Sequence, residues 1–239
     1  MMKNLLHRVL SFFFPHSCVS CGVRTDEARY THLCPGCAEY LAASGAVIQS
    51  PCVKCYAPAY TDTPGLCYDC SIGAFSFTRN TSMLSYKNPV IRDMVLSFKF
   101  ESDKLTGRDL AGLLEAPIRD FFSTRQFDLI TSIPLSRQSL KARGYNQVDY
   151  ILDRLNIPHT RLLERSEHPT HQSRLSQKER RESVRGQFPL IPGAPGVIRD
   201  KRILLIDDIF TTGSTVEEGT VTLLAGGARE IEILTFFRA

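Results

Sequence analysis

The chain has 239 residues, 43% of them hydrophobic and 23% charged, and a formal net charge of +4. That apolar share suits a globular protein with a core of ordinary size, and so mild a positive balance does not by itself indicate nucleic-acid binding. No apolar run reaches the ~18 residues that a membrane-crossing helix requires.

Lys3, His7 and Arg8 precede the apolar stretch Val9-Leu-Ser-Phe-Phe-Phe14. The stretch is short, no small-residue cleavage site follows, and Pro15 leads straight into cysteines, so a secretory leader is not expected. A short amphipathic helix capping the cysteine-rich part is.

All eight cysteines lie between residues 18 and 70, in four C-x-x-C knuckles: Cys18/Cys21, Cys34/Cys37, Cys52/Cys55 and Cys67/Cys70. A two-residue gap lets both sulfurs of a knuckle reach one ion, and two knuckles complete a tetrahedral thiolate shell. The spacer from Cys21 to Cys34 nearly equals the one from Cys55 to Cys67, so the block looks like a repeated unit. A disulfide framework needs an oxidising compartment, and redox C-x-x-C chemistry needs one exposed reactive thiol rather than four regular pairs. Iron–sulfur ligation stays open, since four thiolates also hold clusters. The preferred reading is two structural zincs, paired in sequence as 18/21/34/37 and 52/55/67/70; crossed pairing is not excluded by spacing. His16 and His32 flank knuckles, but eight sulfurs already fill two sites.

Residues 71–80 read as a linker or an edge strand, and Ser82–Tyr86 as a strand ending at Asn88-Pro89. Ile91, Met94, Val95 and Phe98 recur at helical spacing, which predicts a helix over Val90–Phe100. Leu110, Leu113, Leu114, Ile118, Phe121 and Phe122 give a second apolar stripe that Pro117 should kink or restart. Phe127–Pro134 reads as a buried strand, and its following loop carries Leu135, Ser136 and Arg137, whose amides and guanidinium suit a pyrophosphate group. Val148, Ile151, Leu152 and Leu155 then mark a helix. Between Pro158 and Pro195 the periodicity fails: residues 168–185 are polar and basic. They read equally as a solvated helix or loop and as a lid bringing Arg174, Arg180, Arg181 and Arg185 to phosphates.

The most informative stretch is Arg202–Thr215. An apolar strand over 202–207 ends in Asp207 and Asp208, followed by Thr211, Thr212, Gly213, Ser214 and Thr215 and then a helix over Val216–Ala225. At the carboxyl end of a parallel strand such a turn aims backbone N–H groups and hydroxyls at a phosphate, aided by the positive end of the helix. Two adjacent carboxylates can accept hydrogen bonds from a vicinal diol, directly or beside Mg²⁺. Together they fit a ribose 5-phosphate. There is no Lys after the glycine, so the turn is not a nucleoside triphosphate P-loop, and no G-x-G-x-x-G follows a strand. A last strand is predicted over Glu230–Phe237. Strands alternating with helices imply an α/β fold with a parallel sheet and right-handed crossovers.

The Asp-Asp-x-x-Thr-Thr-Gly-x-Thr string resembles the phosphoribosyl-diphosphate (PRPP) signature of type I phosphoribosyltransferases. The whole chain resembles the ComF family of competence-related proteins. That resemblance rests on the knuckles, Leu84-Ser-Tyr-Lys87, Phe98-Lys-Phe-Glu101, Ile133–Arg137, Arg143-Gly-Tyr-Asn-Gln147, Thr170-His-Gln172, Arg180–Phe188 and Leu204–Thr215. One departure is Ser183, where the family usually has Asn before Val. The resemblance implies a cysteine-rich zinc domain over 1–75 and a type I phosphoribosyltransferase-like domain, a parallel sheet flanked by helices, over 80–239. It implies transfer of ribose 5-phosphate from PRPP with Mg²⁺, with Asp207, Asp208 and Arg137 acting on the sugar and diphosphate and Leu135, Ser136 and Thr211–Thr215 binding the ligand. It further implies a cytoplasmic role in DNA uptake, single-stranded DNA as a partner, and DNA-uptake or recombination proteins as further partners. Two alternatives stay open: a PRPP- or nucleotide-binding scaffold without turnover, and nucleobase salvage. Tyr145 is either a base-stacking ring or a packed, hydrogen-bonded tyrosine.

Overall fold

A computed structural model of the chain describes residues 16–25, 30–44, 52–57, 65–166 and 186–239. The expected N-terminal helix and the basic segment with Arg174, Arg180, Arg181, Ser183 and Arg185 lie outside these residues.

Short elements come first. β1 (His16–Ser17) pairs antiparallel with β2 (Arg24–Thr25) around the first knuckle. α1 (Pro35–Ser44) and α2 (Tyr68–Ser71) each begin one residue after a cysteine. β3 (Arg79–Ser85) opens the main sheet. α3 (Pro89–Phe100) starts where Asn88 accepts hydrogen bonds from the N–H groups of Val90 and Ile91, with Pro89 in the first turn where its missing donor costs nothing. α4 (Lys104–Ser123) is capped the same way by Asp103. β4 (Leu129–Ser132), α5 (Arg137–Arg143), α6 (Gln147–Arg154) and the short α7 (Ala194–Ile198) follow. β5 (Arg202–Phe210), α8 (Ser214–Ala225) and β6 (Glu230–Arg238) complete the set.

The four long strands form one parallel sheet in the order β3-β6-β5-β4. The near-continuous apolar runs of β5 and β6 follow from burial on both faces. Leu204, Ile206, Leu234 and Phe236 pack against Ile91, Met94, Phe98, Leu110 and Leu114 of α3 and α4. The alternate residues Ile203, Leu205, Ile231 and Ile233 pack with Phe77, Val216 and Leu223 on the α8 side. This is the expected α/β architecture. Cys18 and Cys34 join the first core, whereas Cys52, Cys55 and Cys70 join the second.

Several boundaries differ from those read off the sequence; β3 begins at Arg79 rather than Ser82, and β4 spans only Leu129–Ser132. β5 does not stop at the carboxylates but runs on to Phe210, because Asp207, Ile209 and Phe210 stay in register with Thr235, Phe237 and Arg238 of β6. α4 is not restarted at Pro117: Leu110, Leu114, Ile118 and Phe121 hold both halves of the helix on one core. Arg137 is not a loop residue but the first residue of α5, whose N-terminus is capped by Ser136.

Candidate functional site

Asp207 and Asp208 stand near the carboxyl end of β5, side by side. The N–H of Asp208 donates to Asp207 Oδ1 at 2.8 Å, and Asp208 Oδ2 pairs with Lys99 Nζ at 2.7 Å. Both members of that pair are less than one fifth exposed, so water screens it weakly. Burial, and then the charge of Asp208, push the Asp207 carboxyl up to about 7. The Asp208 N–H and the charges of Lys99 and Arg165 pull the other way without reversing it.

The turn after β5 is set by Gly213, which has φ +79° and precedes α8 as its N-cap. A Cβ there would lie 2.6 Å from Phe210 Cζ and 2.7 Å from Phe75 Cε1, so both conformation and space require glycine. Thr212 and Ser214 join hydroxyls at 2.9 Å on the outer side, where both reach solvent. The first N–H groups of a twelve-residue helix and its dipole therefore open onto a rim of hydroxyls. Beneath the turn lies Arg238. Its guanidinium donates to the carbonyls of Phe210 at 2.7 Å and Thr211 at 2.8 Å, and stacks over the Phe210 ring at 4.6 Å.

The loop after β4 emerges on the same edge of the sheet. β4 runs beside β5 with Ser132 opposite Ile206, and Ile133 N–H donates to Ile206 O at 2.9 Å. Leu135 and Ser136 are half-buried there, and Arg137 is exposed. Ser136 Oγ accepts from Ser139 N–H, and Asn146 Nδ2 donates to Ile133 O at 3.0 Å, which ties the loop to the start of α6. Thus the structure brings the loop residues Leu135 and Ser136, Arg137 at the start of α5, the two aspartates and residues Thr211–Thr215 to one edge. Tyr145 is packed: its hydroxyl donates to Phe98 O at 2.7 Å and its ring stacks on Phe98 at 5.2 Å.

Lys99 and Arg238 also belong to this edge, and no local feature of the sequence marks either. Lys99 sits in the Phe98–Glu101 string at the end of an apolar stripe, where a lysine is an ordinary helix C-terminal residue. Arg238 ends a different strand from Phe210, with a whole helix between them in the chain, and nothing local signals their pairing.

The eight cysteines form two groups, Cys18/Cys21/Cys34/Cys37 and Cys52/Cys55/Cys67/Cys70. Within each group the sulfurs lie within 4.8 Å of one another, and none is in a disulfide. Tetrahedral thiolates at ~2.3 Å from one ion stand about 3.8 Å apart, so the spacing fits a closed four-sulfur metal shell. Burial raises the Cys18 thiol, but N–H donors from Cys34, Cys21 and Ser20 outweigh it and bring it down to about 7. Burial likewise opposes donors from Cys55, Cys67 and Lys54 at Cys52, which also falls to about 7. Amides aimed at sulfur favour thiolate at Cys18 and Cys52, whereas burial and then the neighbouring sulfurs push Cys37, Cys55 and Cys70 up, so a metal ion bound there displaces protons from these thiols. His32 is not among the grouped ligands: its ring bonds Asp103 through Nδ1 and His16 through Nε2.

Both groups are fastened to the helices and strands around this sheet. On the first side, Ser20 Oγ donates to Asp93 Oδ2 of α3 at 2.9 Å, and His32 N–H to Asp109 Oδ2 of α4 at 2.6 Å. On the second, Lys54 Nζ donates to Phe75 O at 2.8 Å, and Asn80 Nδ2 to Cys55 O at 3.1 Å. Ser76 binds Glu217 in the first turn of α8 through its N–H and hydroxyl. Among the described residues no helix is long and apolar enough to cross a membrane.

The phosphoribosyl transferase domain family matches residues 140–239. Competence protein F of Haemophilus influenzae is 33% identical over 154 residues, which is 61% of this chain and 67% of that protein. Competence protein ComFC of Streptococcus pneumoniae is 29% identical over 63% of this chain and 64% of its own length. The DNA utilization protein YhgH of Escherichia coli O157:H7 is 30% identical over 44% of this chain and 47% of its own length. The match therefore spans about two thirds of the first two relatives and about half of the third.

Proposed function

Because this chain belongs to the competence protein F (ComF) family and carries a phosphoribosyltransferase domain, we propose that its crevice binds PRPP and serves the handling of single-stranded DNA during uptake. The observation that carries this reading is the union, at one sheet edge, of paired aspartates with a glycine-turned, hydroxyl-rimmed helix start. Thr211, Thr212, Gly213, Ser214 and Thr215 hold the 5-phosphate, and Asp207 and Asp208 accept from the ribose hydroxyls. Leu135 and Ser136 offer loop amides to the diphosphate, and Arg137 its charge. Mg²⁺, when bound beside the aspartates, neutralises part of the diphosphate charge.

In transfer to a nucleophilic acceptor, the anomeric carbon's bond to the diphosphate oxygen breaks as its bond to the acceptor forms, developing positive charge on the sugar and negative charge on the departing diphosphate. The two carboxylates face the first and Arg137 the second, so the chain's contribution is electrostatic and orientational. Lys99, already paired with Asp208, stands ready to meet a phosphate oxygen in its place. Residues 1–75 form the zinc-holding part, with one ion in each cysteine group, and 80–239 the phosphoribosyltransferase-like part. The name of the Escherichia coli relative supports DNA as the partner. A place in the cytoplasm, with uptake or recombination proteins as further partners, follows from that role.

Calorimetric titration with PRPP plus Mg²⁺ tests the reading. Wild type binds, and Asp207→Asn weakens binding by about tenfold or more, the loss of a hydrogen bond to a charged acceptor. Pyrophosphate release measured alongside single-strand affinity separates the outcomes. Release that disappears in Asp207→Asn while DNA binding survives marks turnover, whereas binding without release in wild type marks a scaffold. Absence of PRPP binding refutes the proposal.

A further inference from the structure

The rim of the crevice carries an aromatic ring that core packing does not account for. Phe100, the last residue of α3, is 70% exposed. It follows Lys99, whose ammonium reaches Asp208, so its backbone stands ~3.8 Å from that of a residue lining the site. The Arg143 guanidinium lies over the Phe100 ring, 5.5 Å from its centroid. Arg143 is held there by the turn that follows it. Gly144 ends α5 at φ +80°, and Tyr145 bonds and stacks on Phe98 in the last turn of α3. Lys104 lies over the Tyr145 ring at 5.4 Å, and Lys104 and Lys141 are exposed. Of the nearby acids, Asp103 is engaged by His32 and Thr106, and Glu101 takes the Ser97 hydroxyl.

We infer that Phe100, backed by Arg143, is a stacking face for an unpaired base of single-stranded DNA, so that the strand runs past the mouth of the crevice. One face of the ring carries a guanidinium and much of the rest is open to solvent, which is how nucleic-acid channels present an aromatic to successive bases. The cations around it match a phosphate backbone better than an apolar protein surface. A duplex hides its base faces, so the platform selects unpaired strand. The inference rests on the reading of the crevice given above and deepens it: a base held there lies beside the site where the ribose is bound.

The test is anisotropy of a labelled oligothymidylate with the full chain, in parallel with PRPP titration. Phe100→Ala weakens single-strand binding about fivefold to a hundredfold, the value of one stacked base, and Phe100→Trp restores it. Neither change moves the melting temperature, PRPP affinity or duplex affinity. Arg143→Gln weakens the same binding and reduces its dependence on salt, because the ring loses the guanidinium that backs it and the strand loses one nearby cation. Wild-type binding that persists unchanged in Phe100→Ala overturns the platform alone and leaves the ring to a protein partner. Failure of the wild type to bind the oligonucleotide overturns the DNA reading and the platform with it.

Discussion

Asp207 shows how one side chain sets the conditions under which the free protein is stable. In an unfolded chain an aspartate titrates near ~3.9, and in the fold burial and Asp208 hold this one at about 7. Between those values the folded form keeps a proton that the unfolded form has lost. Stability from this group therefore falls as pH rises from ~4 to ~7 and levels off above. Asparagine carries no charge and can still accept the Asp208 N–H. Asp207→Asn should melt higher than wild type at about pH 8 and match it near about pH 4, as followed by circular dichroism; equal shifts at both pH values would refute the assignment. The aspartate pair was legible in the sequence because two carboxylates after an apolar run serve no purpose in a core. Lys99 was not, because its partner Asp208 lies far along the chain, in a strand the sequence does not show to be adjacent.

At the scale of elements, the turn between β5 and α8 is shaped from below. Arg238 ends β6, and its two bonds to the carbonyls of Phe210 and Thr211 fix the backbone from which the turn departs. Burial disfavours the charged guanidinium, while negative charge on Cys55, Cys67, Cys52 and Cys70 favours it, so the second cysteine group and this cation are electrostatic neighbours. Arg238→Met should cost roughly 2–3 kcal/mol in urea denaturation, the scale of a charge-assisted hydrogen bond, and should weaken PRPP binding. Arg238→Lys, able to reach one carbonyl well, should recover part of both; unaltered PRPP affinity in the Met variant would sink the role. The element pattern itself was largely readable, since the apolar stripes and the break at Asn88-Pro89 carry local signals. The length of β5 was not. Acidic residues usually leave a strand, and only pairing with Thr235–Arg238 keeps Asp207 and Asp208 in one. The continuity of α4 through Pro117 was hidden for the same reason, because the tertiary contacts of Leu114 and Ile118 decide it.

For the whole molecule, the two cysteine groups sit in cores on opposite faces of the sheet, one fastened to α3 and α4, the other to Phe75, β3 and the neighbourhood of Arg238. Binding at such sites is worth ~10–16 kcal/mol per ion in model peptides, comparable with the whole stability of a domain. Chelation at neutral pH should release two zinc ions per chain, lower the melting temperature and weaken PRPP binding. Cys52→Ser should impair PRPP binding more than Cys21→Ser, because among the described residues the second group lies against the elements that hold the Thr211–Thr215 turn; atomic absorption with calorimetry checks both, and equal loss from either change would refute the division. The sheet order has one more consequence, for biosynthesis. β6 leaves the ribosome after β3, β4 and β5, yet it lies between β3 and β5. Until it emerges, the nascent polypeptide holds two strands apart with a vacant slot between them, so a translation product stopped before Glu230 has no sheet to close and is a natural client for chaperones and proteases.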